Sequence, residues 1–227
     1  MSDAEADDKK RRYSPEKRRE MILDSAAELV AQNGTTDLSL DTIAQRAGVS
    51  KTLMYRYFRN LLELLRELLE REYRYLRGKQ LAAAESARTY EDLVRGVTRA
   101  YLIYIEDRGL IVERLQTYPS MSEYHNPTDF DREPSVAYFS IVTAELYDLP
   151  MDIATALTEI SFGLPASAGE YLIRSGASRQ SVEDLTVAMI LGSIAGVREN
   201  LLGKNREIKP PSELVNLPHF PKRQERR

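Results

Sequence analysis

The chain predicts an all-α fold, and three observations carry that prediction. Apolar residues recur at helical spacing in segment after segment, with Leu62, Leu65, Leu69, Tyr73 and Leu76 as the clearest stripe. No segment alternates apolar and polar residues in the manner of a half-buried strand. The breakers Gly34, Gly48, Gly109, Pro119, Pro127 and Gly176 stand between the periodic segments.

Composition narrows the setting. At 227 residues the chain can form one large domain or two smaller ones, each with a substantial core. It has no Cys, so a disulfide framework and thiol chemistry are excluded, and a reducing cytoplasm fits. The longest uncharged stretch, 185–197, is too short and too rich in small residues to span a membrane. The charged first residues are not those of a secretory signal. The net charge of −3 hides a division: residues 9–59 hold 11 Lys/Arg against 6 Asp/Glu, whereas 60–203 hold 14 against 22. A small basic head on an acidic body suits a polyanion-binding protein. Four regions follow: an arm at 1–13, a head at 14–59, a body at 60–203 and a Pro-rich basic tail at 204–227.

The arm is acidic over its first eight residues, a composition expected to be disordered, and basic from Lys9 to Arg12, a cluster that can reach a minor groove or serve as a solvated tail with no specific role. Ser14 followed by Pro15 opens the first helix, which Gly34 ends; Ile22, Ala26, Leu29 and Val30 face inward. In 39–58, SLDTIAQRAGVSKTLMYRYF, Ser39 is an N-cap and Leu40, Ile43, Ala44 and Ala47 make one buried face. Gly48 supplies a turn, and Ser50 caps a second helix with Val49 and Met54 placed as a hydrophobic staple. If Met54 and Phe58 face the core, Lys51, Thr52, Tyr55 and Arg56 lie on the open side. Such groups suit phosphates and base edges, and the layout is that of a helix-turn-helix entering the major groove.

The segment 14–65 resembles the DNA-binding domain of the TetR family of bacterial transcription regulators. The matching residues are Ala26, Leu29, Gly34, Leu40, Ile43, Ala44, the run Ala47-Gly48-Val49-Ser50 and the run Tyr55-Arg56-Tyr57-Phe58. The resemblance implies a dimer that binds a near-palindromic double-stranded operator. Lys51, Thr52 and Arg56 are the candidates for base contacts, and Ser50, Tyr55 and Tyr57 for phosphate contacts. One departure stands out. The family usually carries a Lys just after the position of Asn60, and Leu61 and Leu62 follow it here, which bears on a single phosphate contact.

Beyond the head, helices are expected over 60–87, 90–107, 109–118, 134–147, 151–175 and 181–202, the first of them linking head and body. The last two are rich in small residues: Gly163, Ala166, Ser167, Ala168 and Gly169 in one, Gly192, Ser193, Ala195 and Gly196 in the other. Glycine inside a helix costs about 1 kcal/mol against alanine, and close helix approach is the usual compensation. The family resemblance assigns these two helices to the dimer interface, the alternative being tight packing within one subunit.

The body also carries Tyr101, Tyr104, Tyr118, Met121, Tyr124, Tyr138, Phe139, Phe162 and Tyr171. The resemblance implies a small-molecule cavity there, and these residues are its candidate lining for a hydrophobic or aromatic effector. Aromatics at helical spacing also serve as plain core. Catalytic machinery is not in view. Only His125 and His219 are present, no phosphate loop or nucleophile motif occurs, and no cofactor or metal is expected. The reading is a ligand-responsive transcriptional repressor, not an enzyme. An effector-independent activator or DNA-organising protein, or a helical small-molecule carrier, fits the same residues.

Overall fold

The computed structural model describes residues 13–119, 121 and 127–201; the arm to Arg12, Tyr124, His125 and the tail with His219 lie outside the described residues. Among the described residues there are ten helices and no strand. They are α1 (Pro15–Asn33), α2 (Leu40–Ala47), α3 (Lys51–Tyr57), α4 (Leu61–Ser86), α5 (Tyr90–Arg108), α6 (Ile111–Gln116), α7 (Pro127–Tyr147), α8 (Met151–Ser161), α9 (Leu164–Ser175) and α10 (Arg179–Leu201). The all-α expectation holds. The chain forms two compact units, one of Met1–Glu72 with Ile111–Tyr124 and one of Tyr73–Leu110 with His125–Arg227.

The first unit contains α1, α2, α3, the start of α4, and α6. Its core is Ile22, Leu23, Ala26 and Val30 from α1, Ile43 and Ala44 from α2, and Met54 and Phe58 around the end of α3. Leu64, Leu65, Leu68 and Leu69 of α4 are buried as well, with Ile111, Val112 and Leu115 of α6. Fully burying each such side chain contributes about 1.5–3 kcal/mol, so a core this small is sensitive to single truncations. Polar ties fix the outer edges. The Arg71 guanidinium on α4 donates to Glu20 at 3.0 Å and to Asp24 at 2.8 Å on α1. Arg114 on α6 donates to the Val30 carbonyl at 2.9 Å and also to that of Ala31. The last turn of α1 has no basic residue of its own, so Arg114 brings the cation that a helix C-terminus favours.

The second unit packs α5 against α10 and α9, and α7 against α8. Tyr90, Leu93, Val94, Tyr138, Phe139, Val142, Leu157, Val187 and Ile194 form its core. The Tyr90 hydroxyl meets the Thr143 hydroxyl at 2.7 Å in the interior, and burial raises the phenol pKa to about 12. Glu183 on α10 is fully buried and takes hydrogen bonds from Arg99 at 2.8 Å and Arg95 at 3.4 Å on α5. Arg95 also holds Asp184 and Glu91. A buried carboxylate is tolerated only with such partners, and these lock α5 to α10.

Two helix boundaries differ from the expectation. The segment expected to start at Pro134 starts at Pro127, and Pro134 stands inside α7. Proline suits the first helical turn, so either residue could open the helix, and the earlier one does. The segment 151–175 is divided at Phe162 and Gly163 into α8 and α9, with Pro165 in the first turn of α9, where no amide donor is needed.

Candidate nucleic-acid interface

The geometry of residues 39–58 follows from local chemistry. The Ser39 hydroxyl accepts from the Thr42 amide at 3.1 Å, and the Thr42 hydroxyl accepts from the Ser39 amide at 3.0 Å, a reciprocal cap at the start of α2. At the other end Gly48 takes φ 66° and ψ 35°, the left-handed conformation that a side chain disfavours. The Val49 amide then reaches the Ala44 carbonyl at 3.0 Å, closing a tight C-terminal motif. The chain turns and Ser50 caps α3, its hydroxyl oxygen accepting from the Leu53 amide at 3.2 Å. That bond uses a lone pair and leaves the Ser50 hydroxyl proton for another acceptor.

Met54 and Phe58 are both fully buried, which fixes the rotation of α3. Lys51, Thr52, Tyr55 and Arg56 are consequently exposed along its other side, and the Tyr55 ring is 56% exposed. Tyr57 is half-buried. The end of α3 is braced by Arg19 from α1. Its guanidinium lies 4.6 Å over the Phe58 ring, pairs with Glu67 of α4 and donates to the Tyr57 carbonyl at 3.3 Å. This places a cation–aromatic contact directly beneath the presented surface.

The two cations of α3 differ in their surroundings. The Lys51 ammonium stands 2.6 Å from the Asp41 carboxylate on α2, and that hydrogen bond raises the lysine pKa. Arg56 has no ion-pair partner among the described residues. At the start of α4, the Asn60 side chain accepts from the Glu63 amide and the Glu63 carboxylate from the Arg59 amide, both at 2.8 Å. Leu61 and Leu62 beside this cap are half-buried.

The candidate effector residues fall in both compact units. Tyr138 and Phe139 meet edge to face at 5.5 Å, and Phe139 lies 6.3 Å from Phe162. Tyr104 is buried with the Tyr75 ring 6.3 Å away, and Tyr101 lies against Gly169 of α9. Tyr171 is 46% exposed. Tyr118 and Met121 belong to the first unit, and Tyr124 lies outside the described residues.

Asp41, Arg19 and Arg114 were not among the candidates drawn from the sequence. Asp41 reads there as an ordinary acid in a helix first turn, and the partners of the two arginines lie 48 and 84 positions away. Among the described residues no cluster of three or more His, Asp or Glu is placed to hold a metal ion, and no helix is long and apolar enough to cross a membrane.

Residues 22–68 match the family described as bacterial regulatory proteins, tetR family. The HTH-type transcriptional activator FasR of Mycolicibacterium smegmatis is 29% identical over 126 residues, 56% of this chain and 53% of that protein. The Fatty acid metabolism regulator protein of Bacillus subtilis is 29% identical over 104 residues, 45% of this chain and 54% of that protein. The match thus spans about half the length of these curated relatives. The fold is similar to that of a TetR-like transcriptional regulator from Rhodococcus sp. RHA1, with TM-score 0.69 at 16% identity over 82% of this chain and 100% of that one. From the turn at Gly48 to the buried Phe58, the motif agrees with the match of residues 22–68 to the tetR family of bacterial regulatory proteins, in a fold similar to that of a TetR-like regulator.

Proposed function

We propose that this chain is a ligand-responsive transcriptional repressor that binds a near-palindromic operator as a homodimer. The observation that carries the reading is the face of α3: Lys51, Thr52, Tyr55 and Arg56 open to solvent opposite the buried Met54 and Phe58. In this reading Lys51, Thr52 and Arg56 read base edges, and Ser50, Tyr55 and Tyr57 hold phosphates. The reading head comprises residues 14–59 and the body 60–203. Two α3 helices related by two-fold symmetry enter successive major grooves about 34–36 Å apart.

Dimerisation is supported by the exposed side of α10, where Leu185 is 60% and Met189 49% exposed beside Ala188, Gly192 and Ala195. An apolar effector would act in the body by favouring one of two dimer geometries, which requires different affinities for the two. Two relatives bear on its class. One is named a regulator of fatty acid metabolism, which supports a long-chain apolar effector or target genes of that chemistry. The other is named an activator, so activation from the same operator is the second reading.

Selection of random-sequence duplexes by the full chain tests the first reading. Enrichment of a two-fold symmetric site, lost with Arg56→Ala, is expected; enrichment of no sequence overturns it. A promoter carrying that site then separates repression from activation by the sign of the reporter response.

A further inference from the structure

The recognition helix presents two cations, and one of them is already occupied. Lys51 is 71% exposed along its side chain and Asp41 is 47% exposed, yet their charged atoms are 2.6 Å apart. Asp41 projects from α2, the helix that precedes the turn, so the pair links the two elements of the motif at its outer surface. Other cations of this unit are also paired, the exposed Arg46 with Glu28 at 2.8 Å and the largely buried Arg71 with Glu20 and Asp24, but these lie off α3. Arg56 has no such acid among the described residues.

Binding to random DNA rests on phosphate neutralisation and counterion release, and each neutralised phosphate contributes about 0.9 to the salt slope. A lysine that already faces a carboxylate contributes little of this. Either it stays paired and brings no net charge, or it turns to a phosphate and leaves Asp41 unpaired in the negative field of the duplex. At a cognate site the exchange is offset by a directed hydrogen bond to a base edge or a fixed phosphate. On random DNA nothing offsets it.

We propose that Asp41 is a specificity-setting residue of this interface: by holding Lys51 it withholds that charge from indiscriminate phosphate contacts and widens the gap between operator and bulk DNA. The proposal rests on the reading of α3 given above as the helix that enters the groove.

The test compares full-length wild type, Asp41→Asn, Lys51→Ala and the double variant on two probes. One is the duplex selected by the wild type and the other a shuffled duplex of the same length, each titrated across KCl concentration. Asp41→Asn is expected to tighten binding to the shuffled duplex several-fold, up to about tenfold per head at 0.1 M salt, and to steepen its salt slope by about 0.9 per head. The selected duplex should gain less, so the ratio between probes narrows, and adding Lys51→Ala should abolish the gain.

Unchanged or weaker binding of a folded Asp41→Asn protein to the shuffled duplex overturns the proposal. So does a loss confined to one base of the selected site, which would make Asp41 a base reader. If Asp41→Asn does not fold, Asp41→Ser decides by the same measure: tighter binding to the shuffled duplex with a steeper salt slope is expected, and unchanged or weaker binding overturns the idea. A wild-type protein that enriches no duplex at all removes the reading of α3 itself, and this proposal with it.

Discussion

On α3 the side left open by Met54 and Phe58 carries a lysine, a hydroxyl, a phenol and a guanidinium; on α10 the open side carries Leu185, Ala188, Met189, Gly192 and Ala195. Both helices bury one face in their own unit and leave the other exposed among the described residues. The contrast lies in what each open face can lose on contact. The α3 face keeps its hydration until hydrogen-bond acceptors replace the water, which a nucleic acid supplies. The α10 face gains by leaving water and has small residues where a second backbone can approach, as a copy of the same helix would. The two proposed roles thus fall on different helices, and each can be broken without the other.

The sharpest separation comes from two glycines. A Cβ on Gly192 would meet no atom within 4 Å, so a side chain there starts in open space. If α10 packs on its partner, the substitution should yield a folded monomer. Operator affinity should then fall by about 10²- to 10⁴-fold, because two heads no longer act together. Sedimentation and operator titration of the same sample measure both; an intact dimer would detach α10 from assembly. Gly169 is the reverse case. A Cβ there would lie 3.0 Å from Cε1 of Tyr101 and 3.1 Å from Cγ1 of Ile105, so α9 approaches α5 within one chain. Gly169→Ala should lower stability by about 1–3 kcal/mol and leave the oligomeric state alone.

The interior of the second unit gives a pH signature of its own. Tyr90 is buried against Thr143 and its pKa rises to about 12 from the ordinary value of 10.0. In the unfolded chain the phenol ionises first, so stability is intact below pH 10 and falls as pH rises from 10 towards 12. A shift of this size corresponds to roughly 2–3 kcal/mol. Denaturant unfolding across that range should show the decline in wild type, and Tyr90→Phe should reduce it, with the Tyr138 and Tyr147 phenols, also raised by burial, keeping a remainder. An equal decline in Tyr90→Phe would assign the effect to other groups.

On the α3 face, Arg56→Ala and Lys51→Ala should each weaken specific binding by about 1–3 kcal/mol where the side chain makes a bidentate base contact. Tyr55→Phe should weaken all sequences alike if the phenol holds a phosphate. Undiminished operator affinity in the Lys51/Arg56 double variant would place the reading surface elsewhere.

What could be read from the sequence divides along similar lines. The helix-turn-helix was legible because its determinants are local: Ser14, Ser39 and Ser50 cap within three residues, and Gly48 turns the chain by its own φ. The buried set Leu40, Ile43, Ala44, Ala47 and Met54 follows from spacing alone. Contacts between distant segments left no such trace. Nothing near Arg114 marks it as the cap of α1, and nothing near Glu183 shows that Arg95 and Arg99 will surround it. Prolines misled because Pro127 and Pro134 both suit a first turn, and the helix starts at the earlier of the two. Aromatic spacing could not tell the buried Tyr138 from the exposed Tyr171, since burial depends on which helix arrives opposite.

The smallest expected effect concerns the start of α4, where Leu61 stands at the position for which the tetR resemblance implies a lysine. The Asn60 and Glu63 side chains already satisfy amides at that end, so the cap does not need a lysine. A helix N-terminus also favours a phosphate through its dipole, without a full charge. Leu61→Lys adds that charge to a half-buried position. It should raise affinity for random DNA and steepen the salt dependence by up to about 0.9 per head, while sequence preference stays nearly unchanged. Stability should fall by less than about 1.5 kcal/mol, because the lysine stem can cover part of the apolar surface that Leu61 covers now. Salt titration on a shuffled duplex, paired with a melting curve, measures both effects. An unchanged slope in a folded Leu61→Lys protein would mean that residue 61 does not face the DNA backbone, and the charged surface would then end with α3.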